Sequence, residues 1–180
     1  MRFKEILKKK NIEISAKKYG IDAMGAMAQG LFASLLVGTI LDTLGTQLGM
    51  EWLKQIGGFA KSVCGPAMAI SIAYALSAPM LVMFSLAAVG HAANSLGGAG
   101  GPLAVLIISI VSTEIGKLVS KTTKIDILVT PIVTICIGGF LSQWWAPYIG
   151  TAASSVAVRL CGQQISNHFS WVSLFLLLLV

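Results

Sequence analysis

Charge is scarce in this sequence. Asp, Glu, Lys and Arg make up 11% of 180 residues, where an average soluble domain has about 25%. Hydrophobic residues make up 56%, and the mean hydropathy is +0.83. A soluble core does not need that excess, but a lipid-facing surface does, so a soluble globular domain is excluded. Histidine is nearly absent: His91 and His168 are the two present, too few for a histidine metal cluster. Cys64, Cys136 and Cys161 are odd in number and form no C-x-x-C pair. A disulfide framework or zinc site is therefore not expected, and the three read as small buried hydrophobes. There is no P-loop, no G-x-S-x-G, no H-E-x-x-H and no dinucleotide fingerprint. The cluster Gly97-Gly98-Ala99-Gly100-Gly101 has the wrong spacing for a phosphate turn and no Lys-Ser/Thr after it. Neither a metal nor a cofactor is expected.

The charge that is present is concentrated. The formal balance is +6, with seven of thirteen Lys/Arg in residues 1–18 and three more, Lys117, Lys121 and Lys124, in residues 117–124. Basic clusters beside apolar runs mark cytoplasmic flanks and anionic headgroups, not nucleic acid. Residues 1–20 are expected to be a basic cytoplasmic or interfacial segment, either an amphipathic helix on the inner leaflet or a solvated tail. The expected fold is all-α: a polytopic transmembrane helical bundle with a glycine-rich helix break and a cytoplasmic N-terminus.

Apolar runs of about 20 residues cross a bilayer of about 30 Å. The first is expected at 21–41, where Ala26, Gly30, Ser34 and Gly38 form a stripe of small side chains that lets another helix approach. Residues 42–61 carry balanced charge and read as an outer loop, with Trp52 at the headgroup level. Residues 62–90 are too long for one ordinary span. Pro66 and Pro79 divide them into helices at 62–77 and 79–91, unless they form one kinked helix or a re-entrant segment. The dense glycines of 91–101, among them Gly97, Gly98 and Gly101, must be buried, line a wet cavity or lie outside lipid. Pro102 then suits the first turn of a helix over 102–118. A last crossing at 127–146 ends in the aromatic belt of Trp144, Trp145 and Tyr148. With residues 1–20 and 117–124 both inside, an even number of crossings must separate them, which favours the split. The membrane domain is thus expected over 21–146 with about five spans or half-spans, followed by an outer loop and the start of another span over 147–180. The apolar run 171–180 holds about ten residues, half of what a bilayer needs. A C-terminally truncated chain, or fragment, is expected.

Polar residues inside spans are costly and face interior cavities. Glu114 is the most informative of them, although Lys117 three residues on could hold it in an ordinary ion pair. His91 and Asn94, with Ser95, could bond the hydroxyls of a polar ligand; a satisfied interfacial histidine is the plainer alternative. Asp126 reads as a helix-start acid.

Three stretches resemble a known family: Tyr19-Gly-Ile-Asp22-Ala-Met-Gly-Ala-Met-Ala, Gly65-Pro66-Ala67, and the block from Glu114-Ile-Gly-Lys117 through Thr130-Pro131. They are similar to the IIC-type membrane proteins of the bacterial phosphotransferase system, in the branch that includes perfringolysin regulator-like proteins. The likeness covers about residues 1–150. It implies a sugar-translocating permease in the bacterial plasma membrane. Such a subunit works with soluble IIA and IIB phosphocarriers, and a homodimer is a further expected assembly. Any enzymatic role would be that of the membrane component of a protein-N(pi)-phosphohistidine–sugar phosphotransferase, with no phosphosite in this chain. The alternatives are a membrane-bound regulator of gene expression without transport, and a non-functional fragment. Glu114, His91 and Asn94 are candidate sugar contacts from the physics of the residues, not from the family's motif.

Overall fold

The protein is an all-α bundle. The computed structural model describes residues 17–120 and 126–178, with side chains up to residue 155. Most of the expected basic N-terminal segment lies outside the described residues, as do Lys121 and Lys124. The same holds for the side chains of Cys161 and His168 and of residues 171–180.

Among the described residues six α-helical segments follow in order. They are α1 (Lys18–Leu48), α2 (Glu51–Ser62), α3 (Cys64–Ala75), α4 (Met80–Gly97), α5 (Gly101–Val119) and α6 (Asp126–Leu178). Among the described residues no strand occurs, and α1, the α4–α5 stretch and α6 are long and apolar enough to cross a membrane. A fourth span is added if the bent pair α2–α3 counts as one.

The α4–α5 stretch is a hairpin, not a single rod. Gly98 turns the chain at φ +52, a conformation that glycine adopts without strain. Val82, near the start of α4, packs on Gly116, near the end of α5. The two helices have 18 and 19 residues, or about 27–28 Å each, which matches the hydrocarbon thickness. Pro102 sits in the first turn of α5. The joint expected at Pro79 is a turn as well: Ser77 adopts φ +56 and Pro79 caps α4. The chain therefore runs up α1, back down α2–α3, up α4, down α5 and up α6. The core is formed by Met68, Ile72 and Leu76 of α3, Val82, Leu86 and Val89 of α4, and Val105 and Ile108 of α5. Helix α1 covers this layer at α3, and α6 covers it at α4 and α5.

Three expectations need correction. The stretch 42–61 is not a loop: α1 continues to Leu48, turns at Gly49 in the left-handed region, and α2 returns along it. The balanced charges read as a loop are packed across this helical hairpin, with Lys61 bonded to Asp42 at 2.6 Å. Second, α4 does not stop at residue 91. It runs to Gly97, because its glycines are pressed against other helices and are not open to lipid. Third, α6 continues through Pro147, so 147–178 is helical and not a loop. In addition, Cys64 is buried as expected, but Cys136 is exposed on α6.

Close backbone approach explains why glycine is tolerated. A Cβ placed on Gly90 would lie 2.5 Å from the carbonyl oxygen of Gly65, and one on Gly65 would lie 2.5 Å from that of Gly90. The small stripe of α1 works the same way. Gly30 faces the backbone of Ala67 and Met68 on α3, and Gly38 faces Gly57 and Lys61 on α2. The buried face extends beyond the expected stripe, from Ala23 to Gly45.

Replacing Gly90 by Leu should therefore destabilise the bundle by at least about 1–3 kcal/mol, the usual range for overpacking. Gly139→Leu is the control, since a Cβ at Gly139 meets nothing within 4 Å. Thermal unfolding in mild detergent should show a clear fall in Tm for the first and little change for the second.

Candidate functional site

Helices α5 and α6 meet along a polar seam. Residues three and four apart share a helix face, and hydroxyls recur at that spacing in both. On α5, Ser109, Ser112, Thr113 and Gly116 are buried; on α6, Thr130, Thr134, Gly138 and Ser142 are buried. Gly116 lies against Thr134, and Gly138 lies against Ser112 and Val89. Several of these hydroxyls donate to the carbonyl one turn back in their own helix, as in Thr134 to Thr130 at 2.8 Å and Ser142 to Gly138 at 2.7 Å. This local bonding is the usual way a helix hides a hydroxyl from lipid. The hydroxyls of Ser109 and Ser112 are different: both are buried, and neither has a hydrogen-bond partner among the described residues.

The seam ends at an ion pair. The Lys117 ammonium donates to Glu114 Oε1 at 3.1 Å, with the lysine side chain 2% exposed and the carboxylate 19%. Such a pair is held only where each charge has the other, since an uncompensated buried ion is strongly unfavourable. Tyr19, from the first turn of α1, brings its phenol to the same carboxylate. The second carboxylate oxygen, Oε2, is buried and accepts no hydrogen bond of ordinary geometry, the Tyr19 phenol being its polar neighbour. Glu114 is two residues from Ser112 and therefore lies on another side of α5, toward Tyr19 of α1, whereas Ser112 faces Gly138 of α6. Each is a buried polar group of the kind that a hydroxyl-bearing ligand can bond.

The candidate residues do not converge. Asn94 lies near the far end of α4, between α3 and α5. A Cβ on Gly65 would lie 2.8 Å from its Cβ, and one on Gly101 would lie 2.5 Å from its Oδ1. Glu114 follows Gly101 by thirteen residues of α5, about 20 Å along the helix axis. His91 is exposed, on the outside of α4. Glu114 thus belongs to one end of the bundle and Asn94 to the other, with His91 nearer the middle of α4. Asp126, in the first turn of α6, accepts a hydrogen bond from Thr130. Reading the sequence missed Ser109, Ser112 and Tyr19 as neighbours of the pair. For the two serines a signal existed in the 3–4 spacing of hydroxyls within an apolar run. For Tyr19 no local pattern indicates the contact, which arises from the packing of α1 beside α5.

Comparison with known proteins bears on this geometry. The sequence profile of the family described as "Phosphotransferase system, EIIC" matches residues 21–165. No curated protein and no solved structure matches the chain.

Removing one member of the Glu114–Lys117 pair should harm the fold more than removing both. Lys117→Met leaves a buried carboxylate alone and should destabilise the bundle by about 3–5 kcal/mol. Lys117→Met with Glu114→Gln should recover most of that loss. Equal Tm values for the single and double variants in detergent would show that the pair is not structurally coupled.

Proposed function

Since the chain belongs to the phosphotransferase system EIIC family, we propose that it is the membrane permease of a sugar phosphotransferase system in the bacterial plasma membrane. It passes a sugar across the bilayer to soluble IIA and IIB phosphocarriers. The single observation that supports this best, beyond family membership, is the presence of unpartnered polar oxygens inside an apolar bundle, Ser109 and Ser112 along α5 and Glu114 Oε2 on another side of the same helix. A membrane protein does not gain from leaving polar atoms unsatisfied inside, whereas a hydroxyl-rich solute would complete them.

In this reading the α4–α5 hairpin provides two stations on one route. Asn94, near the Gly98 turn, meets the sugar on the outer side, whereas His91 points away from the route on the outside of α4. Glu114 meets it near the inner end, where Oε2 accepts a hydroxyl while Oε1 stays on Lys117. The chain itself supplies no phosphoryl group; that chemistry belongs to the partners. In the same reading residues 1–20 are a basic segment on the inner side and residues 21–146 form the membrane domain. Lys121 and Lys124 belong to the cytoplasmic side, Lys117 being buried in its pair with Glu114. Reporter fusions test this topology. A fluorescent protein joined after Ser120 should fluoresce in the cytoplasm, and alkaline phosphatase joined at Gly49 should be active outside; the reverse pattern would overturn the orientation.

Uptake of labelled sugars by cells carrying the gene tests the function. The intact protein should accumulate at least one sugar. Glu114→Gln should reduce that uptake by about tenfold or more. The Lys117→Met/Glu114→Gln double variant, compared at equal membrane abundance, should show the same loss, so that an unpaired Lys117 is not the cause. Failure of the intact protein to raise uptake of any sugar would reject transport and leave the reading of a membrane-bound regulator.

A further inference from the structure

A separate cavity lies on the outer face of the bundle, away from the seam. It is a groove of about 550 Å³ between α1, α3 and the start of α4. The groove opens where α1 carries no side chain: a Cβ at Gly25 would meet no atom within 4 Å. Its apolar wall includes Ile70 and Met83, and its polar groups include Asp22, Gln29 and Tyr74. The Asp22 carboxylate is exposed in this groove and offers its charge to a ligand. Among the described residues the ion pairs are Asp42–Lys61 and Glu114–Lys117, so neither Lys18, one turn back, nor any other of these cations is bonded to Asp22.

The depth of these groups narrows the choice of occupant. Asp22 ends the first turns of α1, and Tyr74 is the penultimate residue of α3, so both stand at the same end of the bundle. This is the headgroup level, where tyrosine is favoured. Gln29 follows Asp22 by seven residues of α1, about 10 Å deeper, which is where the ester linkages of a lipid lie. A carboxylate repels an anionic headgroup and attracts an ammonium, and an exposed aromatic ring beside it adds a cation–π contact. Tyr74 is 75% exposed and available for that role.

We propose that this groove is a binding site for a phospholipid with a primary ammonium headgroup, of the phosphatidylethanolamine type. The ammonium lies between the Asp22 carboxylate and the Tyr74 ring. The glycerol segment lies over Ile70 and Met83, and the Gln29 amide bonds an ester carbonyl at the deeper end of the groove, from which the acyl chains continue into the bilayer. The site is independent of whether the protein carries a sugar.

The test uses the full chain in phosphatidylglycerol vesicles, doped with phosphatidylethanolamine bearing a photoreactive acyl chain or with phosphatidylglycerol bearing the same chain. After irradiation, peptides of α1 and α3 should carry the ethanolamine probe and not the glycerol probe, and unlabelled phosphatidylethanolamine should compete. Asp22→Asn should reduce labelling by about tenfold, the loss expected from one ammonium contact. Gly25→Leu fills open space without touching the fold, so it should abolish labelling while leaving Tm unchanged. Equal labelling by both probes, or labelling that survives both substitutions, would overturn the proposal.

Discussion

The contact on which the rest of this bundle depends is the touching of helix backbones at glycine. Lipid is as apolar as the side chains it surrounds, so burial of apolar surface does little to hold one transmembrane helix to another. What remains is van der Waals contact, which grows as axes draw together, and a small number of polar bonds. At Gly65 and Gly90 the approach is limited by main-chain atoms. Gly30 and Gly38 fix α1 in the same way, and Gly138 seats α6 against α4 and α5. The polar seam depends on these contacts. Ser112 reaches the backbone of α6 because Gly138 has no side chain there, and Thr134 reaches α5 because of Gly116.

Much of this was legible in the sequence, and the reasons differ by region. Apolar runs and the distribution of lysine were sufficient for an all-α membrane bundle. Pro79 marked a turn because a proline cannot continue the preceding helix's bonding. The small stripe on α1 announced a packing face but not its partner, since spacing along one helix carries no information about which other helix fills it. The helical hairpin of 42–61 was hidden because its charges look like those of a loop. Only the fold shows Lys61 folded back on Asp42. The length of α4 was hidden for a related reason. Glycine lowers helix propensity in isolation, and the compensation at Gly90 and Gly97 comes from tertiary contact.

The candidate site was legible in part. Glu114 and Lys117 could be paired on spacing alone, and they are paired. Their burial and the nearby phenol of Tyr19 depend on α1 lying beside α5, a long-range fact. His91 and Asn94 were grouped with Glu114 by residue chemistry, and the hairpin sets Asn94 about 20 Å and His91 about half a helix length from it along the axis. A polar residue in an apolar run marks itself, but the sequence does not mark which end of the bundle it reaches.

The tightness of the Gly98 turn bears on how the protein is made. Helices of 18 and 19 residues joined by three residues leave no tether long enough for α4 to settle in lipid while α5 waits in water. The two must enter the bilayer together during synthesis. Lys117 and Glu114 are therefore carried to their depth on a helix already shielded along one side by α4, with each neutralising the other. A lone helix bearing that lysine would face lipid with its charge; the hairpin turns the same residue into an internal part of a single inserted unit.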